Sequence, residues 1–325
     1  MIRFENVSKS YDGGQTFAVN DLSLEVAEGE TVVLLGTSGS GKTTTMKMVN
    51  RLIEITEGAI FVNGRDIYEQ SPIQLRRSIG YAIQHIGLFP HMTIAENIAV
   101  VPNLLNWSRK EIDDRVDRML EMVSLDPGDF RERYPTQLSG GQKQRIGVAR
   151  ALAGDPPIIL MDEPFGALDP ITREQLQNEF LELESEIKKT ILFVTHDVFE
   201  AVKMGDRVAL MDAGEVQQLA TPRELVDSPA NEFVDAFLGQ HRFQLALLTR
   251  NVRAHLQQAD TESPAPAQRP ANALAGHFSL IEALDRFKTS GKTTLAVYDR
   301  GQFRGYLTQK QLLASISDVF QEAGS

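Results

Sequence analysis

The chain has 325 residues, 42% of them hydrophobic and 24% charged, the balance of an ordinary globular protein of about two domains. That balance excludes wholesale disorder, the absence of Cys excludes disulfides, thiolate metal sites and a Cys nucleophile, and six scattered His residues argue against a dedicated metal enzyme. The net charge of −11 argues against free nucleic acid as a partner, because phosphate neutralisation needs a basic face. The charge is uneven: residues 241–325 carry 10 Lys/Arg against 7 Asp/Glu, and residues 1–240 carry 23 against 37, which points to two modules with different tasks.

In chain order, Met1-Ile2-Arg3-Phe4-Glu5 lacks the basic-then-apolar run of a signal peptide, so a cytoplasmic protein is expected. Residues 31–35 read as a buried strand ending at Gly36, with a helix over 42–52. Residues 78–95 hold no Asp, Glu, Lys or Arg and are about long enough to span a bilayer. Gln84, His85, Pro90 and His91 within them argue against a membrane helix. From 93 to 150 the pattern is mostly helical, clearest over 109–123, and reads as a helical insertion. A strand over 158–161 ends at Asp162, a helix follows over 171–186, a strand over 191–195 ends at His196, and a helix runs over 198–204. Short continuous apolar runs suit parallel strands covered on both faces. Their alternation with helices predicts an α/β fold with binding chemistry at the carboxyl ends of strands.

Residues 260–272, with Pro264, Pro266 and Pro270, read as an extended linker. A small α/β unit follows. Ser279-Leu-Ile-Glu282 is a capping box opening a helix to Phe287. Strands over 295–298 and 303–307 form a hairpin around Asp299-Arg300-Gly301, and Thr308-Gln-Lys-Gln311 caps a last helix through Ile316.

Three motifs carry chemistry. Gly36-Thr37-Ser38-Gly39-Ser40-Gly41-Lys42-Thr43 matches the phosphate-binding loop G-x-x-x-x-G-K-[ST], between a strand and a helix. Its glycines let backbone N–H groups close around phosphate oxygens, and the helix N-terminus adds positive potential. Lys42 is expected at the β/γ-phosphates and the Thr43 hydroxyl on Mg²⁺. The similar Gly291-Lys292-Thr293-Thr294 has Arg286 where the first glycine belongs and leads into a strand, so it reads as a turn. Asp162-Glu163 ends an apolar strand; the first acid is placed to hold Mg²⁺ and the second to polarise a water beside the γ-phosphate. Leu138-Ser139-Gly140-Gly141-Gln142 opens a helix over 143–152 and reads either as a second anion site or as an ordinary serine cap.

The set as a whole resembles the ABC-type ATPases over residues 1 to about 230. LSGGQ at 138–142 stands about 100 residues after the phosphate loop and 20 before Asp162-Glu163, as in that family's signature. The resemblance implies a P-loop ABC-type ATPase core over 1–240 with a helical subdomain at about 93–150, a helical extension and Pro-rich linker over 241–272, and a single CBS-like motif over 273–325. It implies ATP and Mg²⁺ as cofactors, with nucleotide contacts along 36–43 and at Thr44. By matching position, Tyr11 stacks on adenine, and Gln84 senses Mg²⁺ and the transporter contact. Asp169, in Gly166-Ala-Leu-Asp169, couples two sites across a dimer, and His196 contacts the γ-phosphate. Each site would combine Lys42, Thr43, Gln84, Asp162, Glu163 and His196 of one chain with Ser139, Gly141 and Asp169 of the other.

The run from Tyr81 to Asn97, with 98–102 and 161–170, resembles more narrowly the ATPase subunits of importers for glycine betaine, carnitine, choline and related quaternary amines. That implies a homodimer on the inner face of the cell membrane, permease subunits docked near Gln84–Pro90, and an extracytoplasmic solute-binding protein as an indirect partner. An importer of another solute, such as an amino acid, and a soluble ABC ATPase outside transport are the alternatives.

Overall fold

The computed structural model describes residues 1–325 except 84–86, 167, 188, 254–264, 267, 300–301 and 324–325. The chain divides into two compact units, Met1–Leu219 and Ala220–Ser325.

The first unit opens with β1 (Ile2–Lys9), β2 (Val19–Val26), β3 (Thr31–Gly36) and α1 (Lys42–Val49). β4 (Glu57–Val62), β5 (Arg65–Asp66), α2 (Pro72–Arg77) and β6 (Ile79–Ala82) follow. A helical stretch holds α3 (Ile94–Leu104), α4 (Arg109–Met122), α5 (Pro127–Phe130) and α6 (Gly140–Ala153). The chain then returns through β7 (Ile158–Asp162), α7 (Pro170–Ile187), β8 (Thr190–Thr195), α8 (Val198–Met204), β9 (Arg207–Asp212) and β10 (Glu215–Ala220).

One sheet has the order β10-β9-β3-β8-β7-β6, and its strands from β9 to β6 pair in parallel. Every residue of β3, β7 and β8 is buried. That is why these strands read as unbroken apolar runs rather than alternating ones. A second, antiparallel sheet has the order β2-β1-β4-β5 and was not anticipated from the sequence. Register shifts in β1 between Phe4 and Val7 break its two-residue alternation. Both sheets share one core, where Phe4, Leu24 and Ile60 meet Met46 and Val49 of α1 and Leu34 and Val194 of the parallel sheet.

Within the helical stretch, α3 and α4 pack on α6. Each of the three opens with a reciprocal capping box, Thr93 with Glu96, Ser108 with Glu111, and Ser139 with Gln142. The uncharged run 78–95 is divided between β6 and the start of α3. Among the described residues no helix is long and apolar enough to cross a membrane.

The second unit holds α9 (Pro222–Asp227), α10 (Glu232–Leu238), α11 (Arg242–Thr249), β11 (Leu274–Ala275), α12 (Leu280–Ser290), β12 (Thr294–Asp299), β13 (Gln302–Thr308) and α13 (Gln309–Ala323). The boundary expected at 240 lies inside this unit, because α11 packs on both α9 and α13. β11 runs parallel to β12, which pairs antiparallel with β13. Ser279 and Glu282 form the expected box, as do Thr308 and Gln311. Gly291 caps α12 in the left-handed region at φ 64°, so the lysine-containing segment 291–294 is a helix-to-strand turn. Residues 260–264 and 267 of the expected linker, and Arg300-Gly301 of the expected hairpin, lie outside the described residues.

The helical stretch sits against the parallel sheet through a close backbone approach. A Cβ on Gly80 would lie 2.3 Å from the Ala151 carbonyl oxygen and 2.9 Å from Pro156 Cγ. Gly80→Ala must push α6 away from β6. It should destabilise the protein by about 1–3 kcal/mol, the usual cost of overpacking, and lower the urea midpoint measured by circular dichroism.

Candidate active site

The phosphate loop leaves the carboxyl end of β3 and enters α1. Gly41 holds φ 99°, and a Cβ there would lie 2.3 Å from the Ala18 carbonyl oxygen, so only glycine fits the turn into the helix. Lys42 is buried, and its Nζ donates to the carbonyls of Gly36 at 2.8 Å and Thr37 at 2.6 Å and to Ser40 Oγ at 3.2 Å. Burial pushes the Lys42 ammonium below its ordinary range, and the charges of Glu163 and Asp162 pull it partly back.

The neighbouring strands bring the acids and the histidine to the same end. Leu35 of β3 pairs with Thr195 of β8, and Asp162 of β7 pairs with Val194. The Thr43 hydroxyl donates to Asp162 Oδ1 at 3.0 Å. His196 Nδ1 lies 3.2 Å from Glu163 Oε1, with the imidazole more than half exposed and the carboxylate mostly covered. Glu163 itself holds φ 46°, in the left-handed region, and its N–H donates to the Val194 carbonyl at 3.0 Å. Burial raises the Asp162 carboxyl above the usual carboxylate range and the charge of Glu163 adds to the rise, while the Thr43 hydroxyl, Lys47 and Lys42 act the other way.

A second set lines a separate open depression. Ser139, Gly140, Gly141, Gln142 and Asp169 all border it. Ser139 Oγ accepts the Gln142 N–H at 3.2 Å, and Gln142 Oε1 accepts the Ser139 N–H at 3.0 Å. Gln142 is thereby a capping side chain. Gly141 abuts Leu168, since a Cβ there would lie 3.0 Å from Leu168 Cδ2. Asp169 Oδ1 accepts the Thr172 N–H at 3.1 Å at the start of α7, and hydrogen bonding from Thr172 holds its carboxyl below the usual range. The structure therefore unites Lys42, Thr43, Asp162, Glu163 and His196, and places the 139–142 segment and Asp169 together elsewhere. Tyr11 is exposed beside Lys9 Nζ, 4.9 Å from the ring centroid. Gln84 lies outside the described residues.

Asn97 was quoted in the sequence only as the end of a motif. It is fully buried and ties the turn before α3 from within. Its Nδ2 donates to the carbonyls of Phe89, Met92 and Thr93 at 3.1, 3.2 and 2.9 Å, and its Oδ1 accepts the Phe89 N–H at 2.8 Å. A buried amide with such a full set of bonds is a structural pin. Its signal in the sequence was an Asn inside a helical apolar run. Nearby, Arg76, Tyr81, Phe89, Val100, Val101 and Arg150 line a groove of about 280 Å³.

Among the described residues no three His, Cys, Asp or Glu side chains stand close enough to hold a metal by themselves. Thr43 and Asp162 suit Mg²⁺, which takes one or two protein oxygens and fills its shell with phosphate oxygens and water.

A phosphate loop, an acidic strand end and a histidine made level by three parallel strands define an ATP-hydrolysing cassette. A family model described as ABC transporter matches residues 19–166. The chain is 56% identical, over 99% of its length, to the glycine betaine/carnitine/choline transport ATP-binding protein OpuCA of Bacillus subtilis, and covers 83% of that protein. It is 47% identical, over 96% of its length, to the glycine betaine uptake system ATP-binding protein YehX of Escherichia coli, and covers 99% of it. A solved dimeric ATP-binding cassette in a post-hydrolysis state, bound to ADP and Pi, aligns with a TM-score of 0.62 at 35% identity, over 68% of this chain and 98% of that one. The chain belongs to the ABC transporter family, as an ATP-binding subunit of the kind found in osmoprotectant importers.

The Asp162 environment sets a pH dependence. The folded chain holds this proton at higher pH than the unfolded chain does. Stability from this group is therefore greatest at acid pH and falls as pH rises from the unfolded value of about 3.9 through the raised folded value. Asp162→Asn removes the charge and keeps an Oδ1 acceptor for Thr43. It should raise the Tm of the nucleotide-free protein by a few degrees at pH 8, and the gain should vanish towards pH 4 in calorimetric scans.

Proposed function

We propose that this chain is the ATP-hydrolysing subunit that energises an importer of quaternary-amine osmoprotectants, acting as a pair of identical chains on the inner face of the cell membrane. The pairing of His196 with Glu163 beside the Thr43–Asp162 bond carries the catalytic part of the reading. The solute class rests on near full-length similarity to glycine betaine, carnitine and choline transport subunits.

Lys42 and the loop N–H groups would hold the phosphates of ATP, and Thr43 and Asp162 would hold a Mg²⁺, which would supply neutralisation of the phosphate charge. Glu163 accepts the proton of the water that attacks the γ-phosphorus, and His196 holds Glu163 and the γ-phosphate in one geometry. Tyr11 covers the adenine. By its place in the sequence, Gln84 is assigned the sensing of Mg²⁺ and of the permease contact. Ser139, Gly141 and Asp169 act on the nucleotide held by the partner chain, with the α6 N-terminus as the anion-facing element. The solved dimeric cassette supports that pairing. The small C-terminal sheet unit suits a single CBS-like motif.

If Glu163 is the base, Glu163→Gln should cut turnover about 10²–10⁴-fold while ATP binding survives. The variant should accumulate as an ATP-bound dimer in sedimentation runs. Near-normal turnover would reassign the base, and a monomer in ATP would sink the two-chain site.

The groove beside Phe89 is the proposed permease dock, partly apolar and partly basic. Because Asn97 holds the backbone at Phe89, Phe89→Asp should leave folding and ATP binding intact. It should uncouple hydrolysis from transport by placing a charge in an apolar contact. Unaltered uptake in membrane vesicles would place the dock elsewhere.

A further inference from the structure

α7 begins directly after Asp169, and α8 begins directly after the segment that carries His196. The two helices face each other with paired polar side chains. On α7, Arg173 and Gln177 are four residues apart and so share a face. Opposite them, Asp197 caps α8 and Glu200 lies one turn on. Arg173 Nη1 stands 3.6 Å from Asp197 Oδ2, and Gln177 Nε2 donates to Glu200 Oε1 at 3.1 Å. Gln177 and Glu200 are both buried.

Each rung continues into a loop of the site. Arg173 Nη2 donates to the Leu168 carbonyl at 3.1 Å, and its backbone N–H donates to the Asp169 carbonyl at 2.9 Å. Asp197 Oδ1 accepts the N–H groups of Phe199 and Glu200, and the Asp197 N–H donates to Thr195 Oγ1 at 3.0 Å. The Thr195 hydroxyl in turn hydrogen-bonds the Glu200 carboxylate. His196 is thus held on both sides, by Thr195 and Asp197, and both are tied to α7. The guanidinium Nε is buried without a hydrogen-bond partner. The ion pair to Asp197 stands just beyond hydrogen-bond length, so a second, tighter arrangement of the half-buried guanidinium is within reach.

We propose that Arg173–Asp197 and Gln177–Glu200 form a two-rung clamp that fixes His196 relative to the Leu168–Asp169 segment, with Arg173 as its positioning residue. This rests on the reading of His196 and Asp169 given above. Displacement of the Asp169 segment by the partner chain would pull α7, and the clamp would carry that movement to the imidazole beside Glu163. None of the four side chains need touch the nucleotide.

The test is a double-mutant cycle on ATP turnover in the full-length protein. Arg173→Met keeps the aliphatic stem and removes the fork. It should lower kcat about 10-fold, leave KM for ATP within about twofold, and leave the Tm within a few degrees. In a His196→Ala background, measured by single-turnover phosphate release, the same change should cost less than about twofold, because it acts through the missing imidazole. An undiminished cost in that background, or no cost in the wild-type background, would overturn the clamp. The lower rung has its own check: Gln177→Glu should set two carboxylates face to face and slow turnover, and adding Glu200→Gln should restore it. A double swap as slow as Gln177→Glu alone would overturn the clamp through that rung. Wild-type turnover in His196→Ala would instead remove the site reading itself, and the inference with it.

Discussion

The register of three parallel strands is the constraint on which the site depends. β3, β8 and β7 are buried on both faces and each ends within a residue of the strand it pairs with, with Leu35 opposite Thr195 and Val194 opposite Asp162. A one-residue slip would reverse the faces of every side chain and carry apolar groups into the wrong layer. Burial on both faces therefore sets the register tightly, although no catalytic group takes part in setting it. The phosphate loop, the acids and the histidine arrive together because Val, Ile, Leu and Phe pack below them.

The same arrangement concentrates charge. Lys42 and Asp162 are buried, and Glu163 is mostly covered. Burial opposes the charged form of both Lys42 and Asp162. The loop turns on itself, so that Lys42 donates to the carbonyls of Gly36 and Thr37. Those bonds satisfy the ammonium, while the Thr43 hydroxyl is the close donor to Asp162 among the described residues. On the proposed reading, a bound metal reverses that balance: a dication beside Asp162 favours the carboxylate that burial disfavours. A ligand that offsets such a cost contributes to the stability of the folded chain.

Legibility in the sequence followed the range of the interactions. The phosphate loop, the capping boxes at Ser279 and Thr308 and the buried strands at 31–35, 158–161 and 191–195 depend on neighbours within a few residues, and their positions could be read directly. The antiparallel sheet could not. β1 pairs with β2 and β4 through register shifts, so its apolar residues Ile2, Phe4 and Val7 do not keep a two-residue period. A cassette running to residue 240 is what the sequence suggests, whereas the second compact unit begins at Ala220, where α9 packs on α11 and α11 on α13 far along the chain. The grouping of Lys42, Thr43, Asp162, Glu163 and His196 came from motif spacing and family resemblance. The fine structure around it, Asn97 beneath Phe89 and the facing polar side chains of α7 and α8, has no local signature, since an Asn, an Arg or a Gln on a helix is ordinarily a solvated residue.

The backbone at Glu163 explains how two adjacent acids serve different neighbours. In an extended strand, successive side chains point to opposite faces. Asp162 ends β7 in that geometry and meets Thr43. If the strand continued unchanged, Glu163 would point away from the strand face that Asp162 uses and would run on along the sheet. Instead it turns at φ 46°, a conformation that costs a non-glycine residue about 1–2 kcal/mol. The turn is held at both ends, since the Glu163 N–H is bound by the Val194 carbonyl and the Glu163 carbonyl accepts the Gly166 N–H at 3.2 Å. Glycine at this position would relieve the strain but carries no carboxylate to place 3.2 Å from His196. On the proposed reading, this over-determined and locally disfavoured backbone is the conflict expected where a sequence serves function against backbone preference.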